Sequence, residues 1–276
     1  MTDNLSQWEC LLKNLGEWRG SFSRLSPTGE IIEDIPTIVS LEGRGDRNQT
    51  IHQIVRYLPP NQPPRETVLT YSSLNRNILF FDNGAFSQGS LFWSPWSECG
   101  AEFGLMAGDR RLRLVILYNQ GDKPSGLTLI REQLPHNNQP ENPSLRVEQL
   151  LGTWQGTAVT IYPDFSQGTP QTTKLEITQS NQQLTQKLSF AQQIIISQGL
   201  IKDCYLDFTA SNPPVRVLLL SDGASATFPL VIEPGQSFFL EMGWLIQPLQ
   251  RQRLIRHYNP KGEWISLTLV TENKVS

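Results

Sequence analysis

The chain has 276 residues, is 38% hydrophobic and carries a formal net charge of −3, which suits one large domain or two of ordinary size. The balanced charge, with no basic stripe in either half, excludes the electrostatic footprint of a nucleic-acid binder and of a polybasic membrane-surface contact. No apolar run is long enough for a transmembrane helix, and the N-terminal stretch has early acids in place of the basic region of a secretory signal. No membrane insertion and a cytoplasmic location are therefore expected.

Taken in chain order, Leu5, Trp8, Leu12 and Leu15 follow helical spacing and predict a short helix. It runs into "LGEWRG" (Leu15 to Gly20). Short β-branched or aromatic runs follow, "TIVSLEG", "TIHQIVRYL", "ETVLTYS" and "NILFFD", and read as strands. "DNGA" (Asp82 to Ala85) carries Asn-Gly, a strong hairpin signal. "LFWSPW" (Leu91 to Trp96) is unusually aromatic for a turn. It fits core packing, a ligand platform at a barrel mouth, or a clamp between two domains. The polar segment "QLPHNNQPENPS" (Gln133 to Ser144) reads as a linker. At its end, Asn142 as N-cap and Pro143 at the first helical position predict a second short helix. That helix meets "LGTWQG" (Leu151 to Gly156), after which further strands run to the end, with an Asp-Gly hairpin at "SDGA" (Ser221 to Ala224).

The two Leu-Gly-x-Trp-x-Gly stretches open a duplication. "RLVILYNQGDKPSGLTLIRE" (Arg113 to Glu132) lies without a gap over "RLIRHYNPKGEWISLTLVTE" (Arg253 to Glu272), matching Arg113 with Arg253, Tyr118 with Tyr258 and Glu132 with Glu272. Asp82 matches Asp222 and Glu102 matches Glu241 at nearly the same offset. Anchors in one order at a near-constant offset predict two homologous domains, 1–134 and 145–276. Each holds roughly eight to ten strands, and an antiparallel barrel removes the edges that so many strands would leave. The fold expected is all-β: two tandem antiparallel lipocalin-like barrels, each preceded by a short helix.

A short helix followed by Gly-x-Trp on the first strand of such a barrel resembles the calycin superfamily of lipocalins and fatty-acid-binding proteins. The tandem arrangement resembles an uncharacterised two-domain lipocalin-like family found mainly in cyanobacteria. The resemblance implies that Trp18 and Trp154 each close one end of a barrel, and that a late-strand arginine, Arg113 or Arg253, lies on the indole. It also implies an Arg-x-Tyr pair that holds a ligand carboxylate. Arg256 and Tyr258 are two apart on a strand and share a face. The match is imperfect: the pair lies on the penultimate strand, and Ile116 stands opposite Arg256 in the first unit. Glu241 and Trp244 complete the candidate ligand-binding set.

The remaining chemistry is sparse. Cys10, Cys99 and Cys204 are isolated and read as reduced thiols. His52, His136 and His257 form no pattern that supports haem, and no metal or other cofactor is implied. Neither a phosphate loop nor a nucleophile elbow occurs. The function expected is binding of a small apolar or amphipathic molecule (a fatty acid, pigment or isoprenoid) in a barrel cavity, with the second barrel as its place. Two alternatives stay open. One is a calycin-type isomerase, cyclase or chromophore lyase using Glu241 or Tyr258 as acid or base. The other is a scaffold for a protein partner. Oligomeric state is not legible.

Overall fold

The computed structural model describes residues 5–119, 121–137 and 139–275; Gln120 of the repeat and Asn138 of the linker lie outside them. The chain opens with α1 (Gln7–Leu11), started by a capping box in which the Ser6 side chain accepts from the Glu9 amide and the Glu9 carboxylate accepts from the Ser6 amide. A 3-10 turn (Leu12–Asn14) then delivers the chain into the first sheet.

Nine strands make that sheet: β1 (Gly16–Leu25), β2 (Ile31–Arg44), β3 (Thr50–Tyr57), β4 (Arg65–Tyr71), β5 (Ile78–Phe80), β6 (Phe86–Gly89), β7 (Cys99–Ala107), β8 (Arg110–Tyr118) and β9 (Gly126–Gln133). They run in the order β4-β3-β2-β1-β9-β8-β7-β6-β5, so the sheet curls round through the β1–β9 pairing. The second sheet follows α2 (Val147–Leu150). Its ten strands are β10 (Gly152–Ile161), β11 (Gln171–Ser180), β12 (Gln183–Phe190), β13 (Gln193–Ile201), β14 (Tyr205–Phe208), β15 (Val215–Leu219), β16 (Ala224–Pro229), β17 (Phe238–Gln247), β18 (Gln250–Tyr258) and β19 (Trp264–Lys274), and they close into a barrel.

The two-barrel architecture thus holds, with one difference between the units. In the second, the short strand β14 pairs with both β13 and β15 and completes the ring. In the first, a loop runs from β4 to β5 where that strand would stand, and the curled sheet stays open between them. Both Gly-containing hairpins form as expected: the Phe81 amide donates to the Ala85 carbonyl across the first, and Asp222 and Gly223 take positive φ in the second. The second helix begins later than its capping signals imply. Asn142 does not cap it; its amide donates to Asp222, and its side chain donates to the Leu245 and Ile246 carbonyls, so helix starts only at Val147.

The repeated motif now has a mechanical reading. Gly16 and Gly152 take φ of 133° and 112°, where a side chain is disfavoured, as the chain swings from helix into strand. Gly20 and Gly156 lie against the neighbouring last strand so closely that a Cβ would sit 1.7 Å from the Arg131 carbonyl oxygen and 2.4 Å from that of Thr271. Between them Trp18 and Trp154 turn inward, fully buried, and each indole Nε1 donates to a carbonyl of the preceding turn, Asn14 at 2.9 Å and Leu150 at 2.8 Å.

The largest apolar layer lies between the barrels rather than inside either. Phe103 and Leu105 of β7 and Leu112, Leu114, Ile116 and Tyr118 of β8 pack with Leu240, Met242 and Trp244 of β17 and with Leu254 and Tyr258 of β18. Since β7 and β8 are the repeat equivalents of β17 and β18, like faces meet like, as at the interface of a two-fold dimer. The duplicated tyrosines make this plain: Tyr118 Oη donates to the Pro229 carbonyl at 2.6 Å, and Tyr258 Oη donates to that of Ser90 at 2.9 Å. The "LFWSPW" turn joins two of its three readings, core packing through the buried Trp93 and a clamp between the units. The Trp93 amide donates to Gly262, the Trp264 amide donates to Leu91, and the Trp93 ring meets Phe238 edge-on.

Candidate functional site

Alternation along β8 and β18 decides what each barrel contains. Their even-numbered apolar residues face the inter-barrel layer, so Arg111, Arg113, Arg251 and Arg253 point inward. In the first barrel, Arg111 Nε bonds Glu132 at 2.7 Å, Arg113 grips both oxygens of Glu132 at 3.0 and 2.9 Å, and Arg113 Nη1 reaches Glu102 at 2.7 Å. The second barrel repeats the chain: Arg251 bonds Glu272, Arg253 lies 3.2 Å from Glu272 and 3.4 Å from Glu241. Each ladder holds two cations and two anions, and is neutral.

The arginine on each tryptophan is not the one expected. Arg111 lies over Trp18 at 4.5 Å and Arg251 over Trp154 at 4.9 Å, whereas Arg113 lies over Phe22. All four arginines face inward, but the pair two residues earlier sits nearer the closed end, where the indoles are. Arg111 and Arg251 are themselves a repeat pair, just before the aligned segment. Burial disfavours the charged form of Glu132, but the guanidinium groups of Arg111 and Arg113 outweigh it and hold its pKa at about 2.

The four expected ligand-binding residues do not meet in one cavity. Arg256 and Tyr258 do share a face, with Arg256 Nε donating to Tyr258 Oη at 3.0 Å, but that face is the outside of the second barrel. There the Arg256 guanidinium donates to the carbonyls of Gly89 and Ser90, both at 3.2 Å, and stacks on Trp264 at 3.7 Å. It clamps the first unit in place of holding a carboxylate. Trp244 is in the same layer, its Nε1 donating to the Asp222 carbonyl and its ring facing Arg110. Glu241 points the other way, into the barrel, and belongs to Arg253. Glu241 and Tyr258 therefore lie on opposite faces of the barrel wall. His257 faces the second barrel beside Phe239, and burial lowers its pKa to about 4.

Removing the clamp gives a direct check. Arg256→Ala takes charge-assisted donors from two buried carbonyls and a phenol, and is expected to lower stability by about 3 kcal/mol. Urea unfolding followed by tryptophan fluorescence reads it; a loss below about 0.5 kcal/mol, the size of an ordinary surface change, would contradict the clamp.

The first barrel holds open space. Above Trp18 and Arg111 is a cavity of about 110 Å³, walled by Val39, Leu41, Ile78, Phe80 and Phe86, with Asn14, Arg111, Arg113 and Glu102 among its polar lining. Gln88 and Glu102 also line a wider cleft of about 390 Å³, which reaches Asn77, Glu98, Val115, Leu117 and Asn119. Together they form a cup with an apolar wall, a neutral charged floor and an acidic mouth. Nη2 of Arg111, a residue of the floor, is buried with no hydrogen-bond acceptor among the described residues, as is that of its repeat partner Arg251. Pattern reading missed this cup because it comes from the first sheet's open side, which depends on which strands pair.

Fold and interior define the class: an all-β protein of two fused antiparallel barrels, each with a Trp, Arg and Glu set at one end. A solved structure from Nostoc punctiforme, a protein with unknown function from the DUF3598 family, is 44% identical with a TM-score of 0.92, the match covering 98% of this chain and 100% of that one. The chain belongs to the DUF3598 family. The family model described as domain of unknown function (DUF3598), N-terminal, matches residues 4–137, and that described as biogenesis factor required for ATP synthase 1, C-terminal domain, matches residues 141–275. An S-type phycobiliprotein lyase from Guillardia theta aligns at 14% identity and a TM-score of 0.36, over 47% of this chain and 90% of that one, too distant to bear on function. No curated protein matches. Among the described residues, no helix is long and apolar enough to cross a membrane.

Proposed function

We propose that the first barrel is a binding cup for a small, neutral, amphipathic molecule, such as an isoprenoid or pigment with an oxygen acceptor at one end. The observation that carries this reading is the cavity lined by Arg111, whose Nη2 donor is buried without an acceptor. A buried polar group of this kind is costly unless a partner meets it. A carbonyl or hydroxyl oxygen reaching the floor supplies one, while the apolar body lies along Val39, Leu41 and Phe86. The cleft, at about 390 Å³, falls in the size range of small-molecule sites. Charge selects the class. The floor is already neutral, with Glu102 counted in it, and the mouth adds Glu98 with no cation lining it, so a fatty-acid carboxylate is disfavoured. The proposal keeps the division into units 1–134 and 145–276, supported by family models matching on either side of the linker, and a cytoplasmic location.

The test is titration with Prodan, a neutral aryl ketone whose emission reports polarity, against cis-parinarate, an anionic chain. Prodan is expected to bind and shift its emission, and Val115→Trp, which fills the half-buried inner wall of the cleft, is expected to abolish that shift. No shift with wild type overturns the cup. Equal or tighter binding of cis-parinarate overturns the neutral ligand.

The match of residues 141–275 favours a second reading, in which the chain serves ATP synthase biogenesis through a protein partner. Deleting its gene and measuring assembled ATP synthase on native gels distinguishes the two: a normal amount of the complex removes the second reading and leaves the cup untouched.

A further inference from the structure

We infer that β13 pairs edge to edge with β13 of a second copy of this chain, forming a two-fold dimer centred on Ile196. On one side, β13 is bonded to β12 along most of its length, from Gln193 opposite Phe190 to Leu200 opposite Gln183. On the other, β14 reaches only Leu200 and Ile201. The backbone from Gln193 to Gly199 therefore presents a free edge among the described residues, with the donors and acceptors of an unfinished ladder. Its side chains are not those of a solvated edge: Ile194, Ile195 and Ile196 are 63%, 54% and 64% exposed.

The first unit provides an internal comparison. Its fourth strand, β4, also ends its sheet, and also exposes apolar residues, Val68 and Leu69. That edge begins with Arg65 and Glu66, the latter paired with Arg56 at 2.6 Å, charges of the kind that discourage edge pairing. From Leu188 to Ile201 the second unit has no charged residue and no proline. The same structural position is guarded in one barrel and bare in the other.

Self-pairing fits this edge. An antiparallel strand pair is two-fold symmetric by construction, so β13 complements itself without a second surface. Centred on Ile196, the pairing sets Ile195 opposite Ser197 and Ile194 opposite Gln198 of the other copy, and brings no like charges together. A strand of this length covers less than the roughly 1,200–2,000 Å² of a stable interface, so the dimer is concentration-dependent. The edge lies on the second barrel, away from the cup, and the inference does not rest on the ligand reading.

Sedimentation equilibrium of the full chain, from about 1 µM to about 1 mM, covers the weak range that such an interface implies. Wild type is expected to move from monomer to dimer. Ile196→Lys places two ammonium groups at the dyad and is expected to remain monomeric, while Val68→Lys on β4 dimerises like wild type. Ile196→Cys in a Cys204→Ser background is expected to cross-link under mild oxidation, since directly opposed strand residues lie within disulfide reach. A wild type monomeric throughout, dimers retained by Ile196→Lys, or dimers lost in Val68→Lys overturns the inference. So does a monomer that floats with phosphatidylcholine vesicles through the same isoleucines.

Discussion

Trp154→Ala is expected to lower the stability of the protein by about 3–5 kcal/mol, the range for large aromatic truncations in a packed core. Three losses combine. The indole is fully buried and sits in the apolar cluster formed by Leu145, Val147, Leu150, Leu175 and Ile177, so its removal leaves a cavity at the closed end of the barrel. Its Nε1 donation to Leu150 ties α2 to the strand that follows, and that tie is lost. The Arg251 guanidinium, stacked on the ring at 4.9 Å, loses its platform while remaining buried. Trp154→Phe keeps most of the packing and the π face, and separates the hydrogen bond from the rest. Urea titration measures both variants; a loss under about 1 kcal/mol for the alanine variant would make the tryptophan peripheral.

Glu132→Gln is expected to be about as severe, at about 3–5 kcal/mol, because it breaks a buried charge pair by removing one partner. Arg111 and Arg113 both bond this carboxylate, and neither has the solvent to replace it, with side chains 3% and 12% exposed. Glu102→Gln touches the same ladder at its more exposed end and is expected to cost under about 1 kcal/mol. The ladder also fixes an acid limit. Glu132 has a folded pKa near 2 against an ordinary 4.5, so its stabilisation is fully present above about 4.5 and is lost as pH falls towards 2. Glu272, lowered in the same direction by Arg251 and Arg253 against the opposing effect of burial, adds to the trend. Chemical denaturation of wild type between pH 6 and pH 3 should show stability falling, and Glu132→Gln should flatten that slope.

Much of the architecture was legible because duplication marks what both units need. Trp18 and Trp154, the flanking glycines, the hairpins at Asp82 and Asp222, and the tyrosines at 118 and 258 all fall in matched positions and all shape the fold. The facing of β18 was harder to see. The expectation put Arg253 on the barrel tryptophan and Arg256 inside the same barrel, yet residues three apart on a strand face opposite ways. Either parity alone fits an amphipathic strand. What settles it is the apolar run Leu112, Leu114, Ile116 and Tyr118 on the outer face, which needs a second sheet to cover it. Arg256 then reads as one barrel's grip on the other, and its replacement of Ile116 reflects an asymmetric clamp in place of a ligand anchor. The cup escaped notice for another reason. It follows from the missing counterpart of β14, a pairing difference that hydrophobic pattern does not encode.

The central claim, that the first barrel holds a small neutral molecule against Arg111, is tested most directly by native mass spectrometry of the protein isolated from the cells that make it. The account predicts an uncharged adduct of small mass on wild type, lost on unfolding and absent from Val115→Trp. Wild type without an adduct, or the same adduct on Val115→Trp, would contradict it.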